Sequence, residues 1–319
     1  MTSLQQIARD AVALTRLPRI TINLMAGATA QNDPFYGRVV REFYAGTQQR
    51  HPKFPLVRAL EWGVAVCTLP PTFDDYCMQI EAAGRRNFKK CARNGYEFAR
   101  IAYNDHLADI QAIRRSAPVR QGRLPEEFLN EELKPCLDPP SRTRVHDYPY
   151  FGVLREGHLV AFAGGLVSGA VFVLEQLYGH AAHQADGVVP FLLVNMVRYL
   201  REHFPSVQYC AYGSFFGAGT TLRRFKRKFG FVPCRVTWVL DRTTPAVPAG
   251  DGGLQEPGRA RTPGAGGPPP EGPGQAHRLT VVAGVLTGRD GRAPVPLRTA
   301  ATTTEGSGHG ETDAKRGVR

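Results

Sequence analysis

From Phe151 to Leu240 the chain reads as three apolar strands, a short loop with one glycine, an amphipathic helix, a strand, a basic helix and a closing strand. This order constrains the fold more than any other feature of the sequence. The apolar run at its centre, Leu159 to Leu174, is about 16 residues long, short of the roughly 20 that a membrane-spanning helix needs. Gly164, Gly165, Ser168 and Gly169 divide it, so it reads as two core strands. The strands are expected at Tyr150 to Arg155, Leu159 to Val167 and Val171 to Tyr178, with Glu156-Gly157 turning the first into the second.

The loop Gln184-Ala185-Asp186-Gly187-Val188-Val189 follows the third strand and opens the helical run Pro190 to His203. Unpaired backbone N–H groups at a helix start, with the helix dipole behind them, favour a phosphate-sized anion. An acyl carrier with a pyrophosphate suits such a turn, although one glycine before a helix also serves an ordinary strand-to-helix connection. The strand Val207 to Tyr212 comes next. The basic helix Thr220-Thr221-Leu222-Arg223-Arg224-Phe225-Lys226-Arg227-Lys228-Phe229 then stops at Gly230, a residue suited to a left-handed helix end, and runs into the strand Phe231 to Leu240.

Upstream, Trp62 to Leu69 is strand-like and Phe73 to Arg93 helical. The second segment carries Arg85-Arg86-Asn87-Phe88-Lys89-Lys90-Cys91-Ala92-Arg93-Asn94-Gly95-Tyr96. Tyr96 to Tyr103 alternates as a strand, Asn104 or Asp105 is placed to cap a helix from Leu107 to Ser116, and Pro125 starts a short helix to Leu133. Helices are also expected at Leu4 to Leu14 and Pro34 to Gln48, and no internal repeat is evident.

The order of elements, the Q-x-x-G-x-V loop and the F-K-R-K-F-G-F ending together resemble the GNAT acyltransferase superfamily. The R-x-x-F-K-K pattern after Trp62 to Leu69 is similar to its FemAB-like branch. The resemblance covers residues 62 to 240. It implies an α/β (α+β) fold with a mixed, mostly antiparallel central sheet flanked by helices. Its further implication is an N-acyltransferase that moves an acyl group from acyl-CoA, of the acetyl-CoA type, to a small-molecule or peptide amine. The FemAB-like branch implies instead an aminoacyl-tRNA donor. A third reading keeps the fold as a binding protein without catalysis.

Composition sets the expected boundaries. Residues 243 to 319 are crowded with Gly, Pro, Ala, Thr and Arg and hold no aromatic residue, so they are expected to form a disordered tail, apart from the apolar island Leu279 to Leu286. Residues 1 to 61 are expected to be a helical segment, with a degenerate GNAT half as the alternative, and 62 to 242 the acyltransferase domain. The formal charge is +12, and about +10 of it precedes position 241. Clusters at Arg85 to Arg100, Arg114 to Arg123 and Arg223 to Lys228 form a basic face for nucleotide phosphates, tRNA or anionic lipid, or else a solvated helix surface. Six cysteines without a C-x-x-C pair, and no secretory or membrane-spanning pattern, suit free thiols in a reducing cytoplasm.

Acyl transfer to an amine requires the reactants to be held together, a base for the amine and a donor for the leaving group. Glu175, on the third strand, is a candidate base whose pKa burial would raise; alternatively it faces solvent. His180 and His183 lie just beyond, but their H-x-x-H spacing lacks a third ligand and no metal is expected. The resemblance implies that Gln184, Ala185, Asp186, Gly187, Val188 and Val189 cradle the pyrophosphate, with Gly187 matching the family's glycine and Val189 replacing a smaller residue. Where the family usually has a donor Tyr, this chain has Lys226, read as a proton donor or as a point charge for a phosphate or a tRNA 3′ end. Tyr212 and Ser214 are alternative donors. Arg120 and Arg123 are placed to pair with an acidic acceptor or only to decorate a loop.

Overall fold

The computed structural model describes residues 16–29, 32–51, 54–58, 60–120 and 124–241. The expected tail with its apolar island, and the helix Leu4 to Leu14, lie outside the described residues. The chain begins with β1 (Arg19–Asn23), α1 (Pro34–Gln48) and the hairpin β2 (Arg50–His51) and β3 (Phe54–Arg58), followed by β4 (Trp62–Thr68). Helices α2 (Phe73–Gln79) and α3 (Ala82–Arg93) lead to β5 (Glu97–Ile101), then α4 (Leu107–Arg115) and α5 (Glu126–Asn130). The remainder is β6 (His146–Asp147), β7 (Tyr150–Arg155), β8 (His158–Ser168), β9 (Val171–Gly179), α6 (Val188–His203), β10 (Tyr209–Ser214), α7 (Thr220–Lys228) and β11 (Val232–Val239).

The fold is a mixed, mostly antiparallel nine-stranded sheet flanked by helices, as the sequence led us to expect. Its order is β1-β11-β4-β10-β9-β8-β7-β5, with β6 continuing the β7 side against β8. Among the described residues only β1 with β11 and β10 with β9 run parallel. Residues alternate across β8, so Ala161, Ala163 and Val167 meet Leu192, Val194 and Met196 of α6, whereas Phe162 packs with Ile110 and Ile113 of α4. Leu166, on that second face, joins Val39, Val40 and Phe43 of α1. Helices therefore cover both faces, and the two cores exclude water from the whole centre of the sheet.

Three local expectations need correction. The segment before residue 62 contributes a strand as well as helix: β1 pairs with β11 from Arg19↔Arg235 to Asn23↔Val239 and buries Ile22. The helix expected from Phe73 to Arg93 is two helices, because Ile80 is extended at φ −77°, ψ 151° and enters the core at 2% exposure. The Arg85 guanidinium caps the break by donating to the carbonyls of Cys77 (3.1 Å) and Ile80 (2.5 Å). Neither Asn104 nor Asp105 caps α4, since a 3₁₀ turn, Tyr103–His106, precedes it and Asn104 instead holds the Cys136 backbone at both its N–H and its C=O.

Candidate active site

The parallel pairing of β9 with β10 lasts only three residues, Val171 to Val173 against Tyr209 to Ala211. Beyond it β9 continues to Gly179, while β10 shifts register against β4 between Ala211 and Ser214 and turns at Gly213, where φ is +55°. The strands separate, and the β10-facing edge of Leu174 to Gly179 has no strand partner among the described residues. A crevice between two strands opens at this point.

Glu175 stands at its head for a backbone reason. The β8–β9 register runs Gly165↔Leu174 and then Gly164↔Gln176, so Glu175 is the extra residue of a bulge. Gly165 makes the bulge possible, because a Cβ there would fall on the Val173 carbonyl oxygen. The bulge turns Glu175 toward Tyr148, whose hydroxyl donates to Oε2 at 2.6 Å. Burial raises the Glu175 carboxyl to about 7, and the Tyr148 hydrogen bond, by favouring the ionised form, opposes the rise. Its partly buried neighbour Gln176 carries a side-chain oxygen, Oε1, that is closed to solvent and unbonded.

Tyr212 lies on β10, just past the paired stretch, and Lys226 on α7. Lys226 is 2% exposed, which rules out a solvated charge on the basic helix. Its Nζ donates to the carbonyls of Tyr212 (2.6 Å) and Ser214 (2.8 Å) and lies 4.5 Å from the centre of the Tyr212 ring. Burial lowers its pKa to about 7, because a charged ammonium there lacks water. The Tyr212 hydroxyl is pushed up by burial and, secondarily, by Tyr178 across the crevice, so it keeps its proton. No hydrogen bond joins Glu175 to Lys226 or Tyr212 among the described residues.

The expected phosphate loop has a different local structure. Ala181–Asp186 forms a 3₁₀ turn, and Gly187, at φ +82°, is the N-cap of α6. The Gly187 N–H is already used by the Gln184 carbonyl at 3.0 Å, and Pro190 has none to offer. A Cβ on Gly187 would lie 3.0 Å from Asn87 Cβ and 3.1 Å from its carbonyl oxygen. Gly187 therefore serves the turn and the packing of α3, and Val188 is buried with it. Gln184 donates to the Gly179 carbonyl at 3.2 Å, closing the end of β9.

Asp186 supplies a carboxylate where an anion was expected to bind. Its oxygens receive Tyr96 Oη (2.8 Å) and Asn94 Nδ2 (3.0 Å), and Lys90 Nζ lies 3.2 Å away while also donating to the Ala185 carbonyl at 2.9 Å. Those contacts, Tyr96 first and Lys90 second, hold its pKa below the ordinary carboxylate range. His183 Nδ1 lies 2.7 Å from the same Tyr96 hydroxyl, and His180 accepts from the Ala182 N–H. Among the described residues no group of three or more His, Cys, Asp or Glu side chains is arranged to hold a metal ion.

Outside the turn, α3 presents exposed Arg86, Lys89, Lys90 and Arg93, which border a depression of about 600 Å³. Arg120 donates to the carbonyls of Ile113 (2.7 Å) and Gly179 (3.2 Å), tying its loop to the end of β9; Arg123 lies outside the described residues. Sequence reasoning missed Tyr148 and Tyr96 as partners of carboxylates, and Arg114. Tyr148 reaches Glu175 from 27 positions away, and no local pattern marks such a pair. Lys90, Asn94 and Tyr96 stood within the quoted K-K-C-A-R-N-G-Y run, which was the available signal.

No family model matches the sequence, and no curated protein matches it. Among solved structures it is similar to FemX, at 11% identity over 54% of this chain and 59% of that one, with a TM-score of 0.43. It is also similar to L-PGS from Bacillus licheniformis, at 15% identity over 55% and 58% with a TM-score of 0.36. A tandem GNAT protein from the clavulanic acid biosynthesis pathway gives 13%, 55%, 50% and 0.34. The chain spans under two thirds of the length of each, and at these values none of them assigns an activity.

Proposed function

We propose that this chain is an N-acyltransferase whose reacting centre is the β9–β10 crevice. The observation that carries the reading is Glu175, a carboxyl with a pKa of about 7 fixed by a strand bulge where the crevice opens. A base poised near neutral pH takes the proton of an attacking amine with little waste of driving force. The amine nitrogen bonds the acyl carbon, the bond from that carbon to the carrier's sulfur or oxygen breaks, and the amine proton passes to Glu175. The carrier's leaving atom takes a proton from Tyr212 or from the ammonium form of Lys226. The unpartnered edge of β9 supports the reading, since it offers backbone N–H and C=O groups to an extended acyl arm.

An acyl-CoA is the simplest donor. One observation favours a second donor class: Asp186, Pro190 and the packing of Gly187 on Asn87 leave few free donors at the turn, whereas the α3 cations beside it suit the more widely spaced phosphates of an aminoacyl-tRNA. The test is to incubate the full chain and Glu175→Gln with labelled acetyl-CoA, and separately with charged bulk tRNA, over a panel of amines. Transfer from one donor class, lost in Glu175→Gln, is expected. No transfer from either, with tRNA retained on the protein, would overturn the enzyme reading in favour of a binding protein.

A further inference from the structure

The face of the sheet that holds Tyr148 and Glu175 also holds two arginines that no ion pair among the described residues reaches. Arg114, in the last turn of α4, lays its guanidinium over the Phe128 ring, 4.4 Å from the centroid. Phe128 tilts against Tyr178 at 6.2 Å, and Arg120 lies 5.3 Å from the Tyr178 centroid. This series of cation, ring, ring and cation stands at the end of β9, three positions beyond Glu175. Tyr178 stacks on Phe162 at 5.4 Å, and the same aromatic cluster runs through Tyr150 to Tyr148, the hydroxyl donor to Glu175.

None of the ion pairs among the described residues reaches Arg114 or Arg120. Among the described residues the hydrogen bonds of Arg120 all go to backbone carbonyls, and Arg114 lies over the Phe128 ring with Tyr103 and Tyr178 near it. In both residues Nε is closed to solvent and unbonded. Folded proteins seldom leave a buried guanidinium N–H without a partner, and both of these half-buried arginines do so at Nε. Two such residues together, beside a titratable carboxyl in a crevice, are the pattern of a site awaiting an anion, and a guanidinium fork matches a carboxylate or phosphate edge.

We propose that Arg114 and Arg120 form an anion-recognition subsite, and that the acceptor is an amine carrying a carboxylate or phosphate well separated from its nitrogen. This rests on the acyltransferase reading of the crevice. The guanidiniums sit over Phe128 and Tyr178 at the end of β9, whereas Glu175 is hydrogen-bonded to Tyr148 at the bulge, so the two ends of the acceptor occupy separate places. An ω-amino acid or an aminoalkyl phosphate meets that requirement; an α-amino acid does not.

The test has a binding arm and a transfer arm, both on the full chain. Glutarate and inorganic phosphate are titrated calorimetrically into wild type, Arg114→Gln, Arg114→Lys and the surface control Arg38→Gln, with circular dichroism to confirm folding. Saturable binding of at least one anion is expected, weakened about tenfold or more in Arg114→Gln, less in Arg114→Lys, and retained in Arg38→Gln. In the transfer arm, 6-aminohexanoate, 6-aminohexyl phosphate and hexylamine compete for the acyl group of acetyl-CoA. An advantage of one charged amine over hexylamine, lost in Arg114→Gln, is expected, and which one holds it separates carboxylate from phosphate. Equal anion binding in wild type and Arg114→Gln, or hexylamine accepted as well as the charged amines, would overturn the subsite. Arg114-dependent anion binding without any transfer would sink the acyl-CoA reading and still support the subsite.

Discussion

The Tyr148 hydroxyl donates to Glu175 Oε2 at 2.6 Å, and it is the one influence that restrains a carboxyl otherwise raised by burial. Tyr148→Phe should therefore raise the Glu175 pKa above its value of about 7. A general base works ionised, so activity should climb with pH through that pKa. In the variant the acid limb of the kcat/KM profile should move up by about one unit. An acid limb that stays in place would remove Glu175 as the base.

The same carboxyl makes a stability prediction. Its folded pKa lies above its ordinary value of 4.5, so its contribution is fully present below that value and is lost as pH rises through about 7. Glu175→Gln should abolish a fall of up to about 1.4 kcal/mol per pH unit across this window. Urea unfolding at several pH values measures it, and parallel curves for the two proteins would show that Glu175 titrates normally.

Gly165→Ala tests the bulge itself. A Cβ at this position would collide with the Val173 carbonyl, which belongs to backbone and cannot swing away. Relief requires Glu175 to return to register, turning its side chain from Tyr148. We expect a loss of about 1–3 kcal/mol in stability together with the loss of the raised Glu175 pKa. A variant with unchanged stability and pH profile would show that the bulge does not position the carboxyl.

Much of this architecture was legible because it is local. Tyr150–Arg155 and Pro34–Gln48 match their expected bounds, since a hairpin turn at Glu156-Gly157 and the Asp33 cap followed by Pro34 are written in adjacent residues. The strand β1 was illegible because the strand it pairs with, β11, lies more than 200 positions away. The burial of Lys226 had a signal in the helix pattern. Leu222, Phe225 and Phe229 mark the inward stripe of α7, and a residue one turn after Leu222 falls within it, so the lysine had to be buried. The sequence of the turn at Gly187 carries no trace of Asn87 packed against it, because that neighbour lies 100 positions away.

Gly187→Ala separates the two roles of that glycine. At φ +82°, with Asn87 only 3.0 Å from the new Cβ, the substitution should cost about 1–2 kcal/mol of stability whether or not any ligand is present. A pyrophosphate cradle would instead weaken binding of acetyl-CoA and spare the melting temperature. Calorimetric titration alongside thermal unfolding distinguishes these outcomes. Unchanged stability with weaker donor binding would restore the loop to the donor site.

Lys226 gives the opposite pH signature from Glu175. Its folded pKa of about 7 lies below its ordinary 10.5, so its contribution is present above 10.5 and is lost as pH falls through about 7. Wild-type stability should rise by up to about 1.4 kcal/mol per pH unit between these limits, and Lys226→Met should lack that rise. At pH 10 the variant should be the weaker protein by about 1–3 kcal/mol, because the carbonyls of Tyr212 and Ser214 lose their donor. Near pH 6 the deficit should shrink or reverse, since wild type then holds an unpaired ammonium in the core. Urea unfolding at pH 6, 8 and 10 decides it. A deficit of the same size at all three would mean that Nζ stays charged and hydrated, and would withdraw Lys226 as a source of protons for the leaving group near neutral pH.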